Sequence, residues 1–254
     1  MKKGMLFGFI LLLFGAILSA CGSDKYTVAT DNSFVPFEFV DEEDGELKGF
    51  DIDLINAIAE DQGIEVEIEA MEFDGVIAGM QSGRYDIGIA GITITEERKE
   101  SIEFSDPYYD AGLMIAVRGD DEEIKSEADL AGKKVGTRSG TTSEDYLKDN
   151  HPDAEIQAFP GIVEAYMDLQ AGRLDAVLYD APNVKYYIAT EGGGDMKTVG
   201  DILQGEQYGI AMPKDSELVD KINEGLKNVQ DNGTYDDIYE KWFDERPLGT
   251  EKSE

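Results

Sequence analysis

The chain has 254 residues, 41% of them hydrophobic, which is enough for one or two packed cores and argues against a disordered polymer. Its 55 Asp and Glu against 22 Lys and Arg give a formal net charge of -33, a field that opposes any phosphate clamp, so nucleic acid is a poor partner and the acidity points instead to a saline or alkaline habitat. One Cys excludes an intramolecular disulfide, and a single His leaves no His/Cys cluster for zinc, copper or haem, so no cofactor is expected. A Ser/His/Asp triad would have to use His151, which precedes Pro152 in a loop-like stretch and reads as a surface histidine.

Lys2 and Lys3 lead into an unbroken apolar run, Met5 to Leu18, the arrangement of a secretory signal. Tilted, the same segment could serve as a membrane anchor. The sequence Leu18, Ser19, Ala20, Cys21 decides between the two, because it resembles the lipobox of bacterial lipoproteins, in which the Cys thiol receives a diacylglyceryl group. Two acyl chains meet the condition for stable anchoring that one chain misses. The expectation is a signal peptide over 1–20, lipidation at Cys21 with a tether to residue 25, and a protein held on the extracellular face of the cell membrane.

Beyond the tether, strand and helix patterns alternate. Tyr26 to Thr30 reads as a strand, Asp51 to Asp61 as a helix ending before Gly63, and Val66, Ile68 and Ala70 as the inward face of a second strand. A helix over Asp74 to Ser82, a strand over Ile87 to Gly91, a helix over Glu96 to Ile102 and a strand over Leu113 to Val117 continue the cycle. Next come a strand over Lys134 to Thr137, helices over Ser143 to Asp149 and Ile162 to Gln170, and a strand over Ala176 to Tyr179. A closing helix from Glu217 to Asp231 is stopped by Asn232 and Gly233. The class is α/β.

An internal echo organises these elements. QSGRYDIGIAG from Gln81 aligns with QAGRLDAVLYD from Gln170, each a helix end, a turn glycine, Arg-x-Asp and a strand. VATDNS from Val28 pairs more weakly with VGTRSG from Val135, which puts Asp31 and Arg138 at corresponding strand ends. Two lobes of similar design follow, and ligands of open α/β sheets collect beyond the carboxyl ends of strands. Asp31, Gly91 with Thr93, Arg138, and Tyr179 with Asp180 are therefore the candidates to line a cleft.

ATDNSFVPFEF, GFDIDL, AGITITEERK, FSDPYY, SGTTSEDY, VLYDAPN, YGIAMPK and NGTYDDIYEKWF together resemble the polar-amino-acid substrate-binding proteins of bacterial ABC transporters, nearest the glutamine-binding branch, from Tyr26 to Phe243. The resemblance implies a two-lobed periplasmic-binding-protein type II fold, each lobe a βα sheet domain. Lobe 1 would comprise 26–107 and a return segment 209–247, lobe 2 would comprise 113–203, hinges would fall at 108–112 and 204–208, and 248–254 would be a tail. It also implies a monomer that hands an amino acid to a membrane permease driven by a separate ATPase. The chain itself has no GxxxxGK[ST] motif, since GTRSGTTS lacks the Lys.

A free amino acid entering a dry cleft needs partners for its carboxylate, ammonium and side chain. Arg98 suits the carboxylate, because its planar fork makes two charge-assisted bonds and a cation in the first turn of a helix opposes the macrodipole. Thr93 and, from the other lobe, Thr142 would add hydroxyls, with Thr95 as the helix N-cap. Asp180 is assigned to the ammonium together with the Gly91 carbonyl, although on spacing alone it could equally cap the following helix. By resemblance Phe34, in a loop read as exposed beside Asp31, and Phe73 are apolar walls, and Ala90 joins them.

Side-chain choice rests on Asp31 and Arg138, an acceptor and a donor that match a carboxamide, so glutamine fits best. The sequence departs from the glutamine branch at Arg138, Thr142 and Tyr179, where that branch has Lys, Gly and His. Glutamate or aspartate on Arg138, arginine or lysine on Asp31, and a direct Asp31 to Arg138 pair remain open. The alternative classes of the same fold are a dehydratase and a receptor-coupled sensor.

Overall fold

The computed structural model describes residues 24–244 except 42 and 193, together with Pro247. The signal peptide, Cys21 and the 248–254 tail lie outside the described residues. The chain begins with β1 (Lys25–Asp31) and a small sheet of β2 (Ser33–Phe34), β3 (Glu38–Val40) and β4 (Leu47–Lys48). It continues through α1 (Phe50–Gln62), β5 (Glu65–Met71), α2 (Phe73–Ser82), β6 (Ile87–Gly88), α3 (Glu96–Lys99) and β7 (Ile102–Phe104). A second group follows, with β8 (Tyr109–Arg118), β9 (Lys134–Arg138), α4 (Thr142–Asn150), β10 (Glu155–Phe159), α5 (Ile162–Gln170), β11 (Ala176–Asp180), α6 (Ala181–Thr190) and β12 (Met196–Tyr208). The last elements are β13 (Ala211–Pro213), α7 (Leu218–Asp231) and α8 (Thr234–Phe243).

These strands make two five-stranded sheets, in the orders β5-β1-β6-β13-β7 and β10-β9-β11-β8-β12, and so two lobes. β1 pairs in parallel with β5 and β6, as β9 does with β10 and β11, and parallel neighbours need the helical crossovers that the alternating sequence supplies. Late in the chain, β13 inserts between β6 and β7, which carries the C-terminal segment back to the first lobe. The chain passes between lobes where β8 and β12 lie antiparallel, with Tyr109 opposite Tyr208 and Gly112 opposite Gly205. Gln204 beside this crossing has φ 41, and the ladder loses register between Val199 and Gly205.

Burial explains the elements locally. α1 faces inward through Phe50, Leu54, Ile55 and Ile58, all without exposed surface, at helical spacing. Phe37, equally buried, packs edge-on against Phe50, Tyr109 and Tyr208, so the aromatic cluster ties the first lobe to the crossing strands. Removing such a ring costs about 3–5 kcal/mol.

Several expected boundaries move. The helix expected to reach Ile102 stops at Lys99, because Ile102 is buried in β7 opposite Pro213. With four residues it has no distinct first turn, and the macrodipole argument for Arg98 lapses there. Gly233, expected only to end a helix, has φ 86 and also begins α8, whose Tyr235 hydroxyl donates to the Tyr108 carbonyl at 2.5 Å.

Candidate functional site

Every residue expected to touch a ligand lines one cavity between the lobes, and Thr141 joins them. Asp31 ends β1, Arg138 ends β9 and Asp180 ends β11, so strand termini deliver the charged groups. Gly91 follows β6 at φ 51, and a Cβ there would lie 2.3 Å from the Phe34 ring, so only glycine lets the loop approach that ring. Phe34 itself is 3% exposed, which corrects the reading of its loop as exposed. It stacks on Phe37 at 5.1 Å and meets Tyr179 edge-on at 5.9 Å, so aromatic packing has drawn it inward.

The open question about Asp31 has a direct structural answer. Arg138 donates from both terminal nitrogens to the two Asp31 oxygens, the second bond measuring 3.1 Å, and both side chains are buried. The Arg138 Nε donates to the Pro160 carbonyl at 3.1 Å. Positions that correspond in the internal echo therefore meet across the cleft with opposite charge. A further contact between lobes runs from Asn183 Nδ2 to the Val35 carbonyl at 2.7 Å.

Arg98 is held differently. Its backbone N–H donates to the Thr95 hydroxyl at 3.1 Å, the expected cap, while its guanidinium donates to the Thr93 carbonyl at 2.9 Å and lies 5.5 Å from the Phe73 ring centre. Arg138 lies 5.7 Å from the same ring, so Phe73 receives a guanidinium from each lobe rather than forming a purely apolar wall. Among the described residues no carboxylate comes within 4.0 Å of the Arg98 guanidinium, and burial pushes its pKa down against the raising influence of Glu206 and Asp180. It is a half-buried cation with free donors.

Asp180 occupies the N-cap position of α6 but makes no capping bond there. Its carboxylate instead accepts from the Tyr208 hydroxyl, and burial first, then the Glu206 charge, push its pKa up to about 7. Glu206 and Tyr208 are the site residues that sequence reasoning missed. Glu206 is buried, accepts from Thr93 Oγ1 at 3.3 Å and Gln204 Nε2 at 3.1 Å, and burial raises its pKa. A period of two along β12 was the available signal, since Glu206 and Tyr208 share one face while Gln207 points outward.

With Asp31 and Arg138 joined, the cavity left between the lobes is about 10 Å³, close to the room one water needs. Two α/β lobes, an interlobe cleft at strand ends, a guanidinium with free donors and opposed carboxylates are the arrangement of a two-lobed solute-binding protein of the periplasmic-binding type II fold. The profile of the bacterial extracellular solute-binding proteins, family 3, matches residues 26–245, and the chain belongs to that family. The arginine-binding periplasmic protein of Mannheimia haemolytica is 32% identical over 96% of this chain and 99% of its own. The arginine-, lysine-, histidine-binding protein ArtJ of Geobacillus stearothermophilus superposes with a TM-score of 0.84 at 37% identity, covering 89% of this chain and 97% of ArtJ. An ancestral arginine-binding protein bound to glutamine gives 0.82 at 46% identity over 88% and 100%. The protein is accordingly an extracytoplasmic amino-acid-binding component of transport.

Proposed function

We propose that this protein binds glutamine and delivers it to an ABC permease by hinge closure. In this reading Arg98 takes the α-carboxylate, Asp180 with the Gly91 carbonyl takes the ammonium, and Thr142, whose hydroxyl also bonds Glu206, lines the cleft beside them. The carboxamide lies beside the Asp31–Arg138 pair, and Phe34, Phe73, Ala90 and Tyr179 enclose the rest. Thr93 has a single hydroxyl proton, committed to Glu206, so it meets the ligand as an acceptor. The observation that carries the choice is the bidentate Asp31–Arg138 pair, in which each buried charge already has its partner, with the exposed Glu72 carboxylate 3.6 Å from the same guanidinium. A carboxamide, donor and acceptor without charge, suits that end better than a carboxylate or a guanidinium.

Closure about 108–112 and 204–208 is supported by the small cavity, since an amino acid cannot enter 10 Å³ until the lobes part. Residues 1–20 act as a signal peptide and Cys21 as the lipid attachment, so the protein works as a membrane-tethered monomer on the extracellular face. Arginine is the second reading, favoured by Glu206, which gives the cleft one more carboxylate than it has guanidiniums. The relatives named for arginine point the same way. Thermal shift against all twenty amino acids tests both, since a ligand at 100 times its Kd stabilises by about 2.7 kcal/mol. Glutamine is expected to give the largest shift; arginine alone doing so would replace the first reading with the second.

A further inference from the structure

Beneath the ligand loop lies a second acidic pair that the reading above does not use. Glu38 and Asp51 have no exposed surface, and no cation lies within 4.0 Å of either carboxyl among the described residues. Both Glu38 oxygens and Asp51 Oδ1 lack a partner, although the two carboxyls are within hydrogen-bonding reach of each other. Two ionised carboxylates cannot share such a space, but a single proton on Glu38, donated to Asp51 Oδ1, would satisfy one oxygen on each side. Asp51 Oδ2 is already occupied, accepting from the Gly91 amide at 2.9 Å and from the Tyr108 hydroxyl at 2.7 Å.

We propose that Glu38 and Asp51 share one buried proton, and that Glu38 thereby acts as a positioning residue, fixing through Asp51 both the Gly91 loop and the start of the crossing strand at Tyr108. Glu38 arrives on β3, whose neighbour β2 carries Phe34, and Asp51 on the first turn of α1, so one proton connects the ligand loop, the binding-lobe helix and the interlobe strand. The charged and titratable groups facing the pair are Asp31 and Arg138 from the cleft, Tyr108 from the crossing and Tyr235 from α8. Burial, then Asp51 and Asp31, raise the Glu38 pKa well above the usual carboxylate range against Arg138, while burial raises Asp51 only to about 6. Of the two carboxyls, Glu38 is therefore the one assigned the shared proton. Because the folded value is raised, the stability it contributes is complete at low pH and is lost as pH rises through the folded pKa.

The link to ligand binding rests on the reading of Gly91 as an ammonium acceptor, so the test has one arm independent of any ligand. Carbon-13 spectra of the Glu38 carboxyl and the Gly91 amide signal would be followed from pH 5 to 10. A protonated Glu38 at pH 7 is expected, with the Gly91 amide titrating at the same midpoint. An ionised Glu38 at pH 6, or a Gly91 signal indifferent to its titration, overturns the proposal even if no amino acid binds. In the second arm glutamine and arginine are titrated by calorimetry. The wild type is expected to lose affinity by up to about tenfold per pH unit above that midpoint. Glu38→Gln, whose amide donates to Asp51 without titrating, is expected to keep neutral-pH affinity within about threefold and to show only the alkaline decline that the ligand's own ammonium imposes on both proteins. Superimposable pH profiles for the two proteins would refute the positioning role. Glu38→Ala serves only as the unrescued control.

Discussion

The two lobes use one turn to opposite ends. After α2, Gly83 takes φ 66, Arg84 N–H donates to the Gly79 carbonyl at 3.0 Å, and Asp86 accepts from the Thr27 amide at 2.7 Å. After α5, Gly172 takes φ 71, Arg173 N–H donates to Asp168 at 2.9 Å, and Asp175 accepts from the Lys134 amide at 2.8 Å. Both turns thus lock a helix end to the start of the lobe's first central strand. Past the following strands the likeness ends, because the first lobe offers a glycine loop and the half-free Arg98, whereas the second offers Asp180 and Arg138 already bonded to other residues. The repeated turns fix where the strands end, and single residues beyond them decide what each lobe can hold.

If Arg98 in the first lobe carries recognition common to all amino acids and the second lobe's Arg138, paired with Asp31, carries choice, variants at the two positions should fail differently. The largest effect is expected from Arg98→Ala. Leaving a ligand carboxylate desolvated without its cation costs about 2–5 kcal/mol, so calorimetry should find every amino acid weakened by about thirtyfold to several thousandfold. Normal binding by this variant would remove the carboxylate assignment and the comparison with it. Next in size, Arg138→Gln strands Asp31 as a buried unpaired charge, which destabilises the closed lobes and at the same time frees an acceptor for a cation. Glutamine affinity should fall by about one to three powers of ten while arginine or lysine falls less or gains. Equal losses for neutral and cationic amino acids would show that the pair is merely a clasp between the lobes.

How much of this was legible beforehand follows from how local each cause is. The turn at Gly83 and its counterpart at Gly172, the Thr95 cap and the strand ends carrying Asp31, Arg138 and Asp180 depend on neighbours in sequence, and the string displays them. The motifs that carried the family resemblance, VPFEF and GFDIDL, contain Glu38 and Asp51, yet an acid alternating with apolar residues looks like a solvent-facing position. Only the packing of α1 and α8 around Phe37 and Tyr108 makes those positions dry. Glu206 escaped for a related reason, because the broken register near Gln204 determines which face of β12 meets the cleft. The short α3 shows the reverse error, in which helical propensity over Glu96 to Ile102 yielded to the pull of β7 on Ile102.

The smallest and most discriminating prediction concerns Glu206, which belongs to the crossing strand rather than to either echo. Asp180 must be ionised to hold an ammonium, and with its pKa near 7 the cleft is half protonated at neutral pH. Affinity should therefore weaken by up to tenfold for each pH unit below about 7, with a proton released on binding. Glu206 contributes to that raised value, second only to burial, so Glu206→Gln should lower the Asp180 pKa and move the acid limb to lower pH. At pH 6 glutamine should then bind a few-fold more tightly to the variant. Arginine carries an additional positive charge and loses a carboxylate partner in the same variant, so its affinity should gain less or decline. Calorimetry in two buffers of different ionisation enthalpy reads both the midpoint and the proton count. An acid limb that stays in place when Glu206 is neutralised would mean that burial alone sets Asp180, and that the extra carboxylate of the crossing strand plays no part in choosing the ligand.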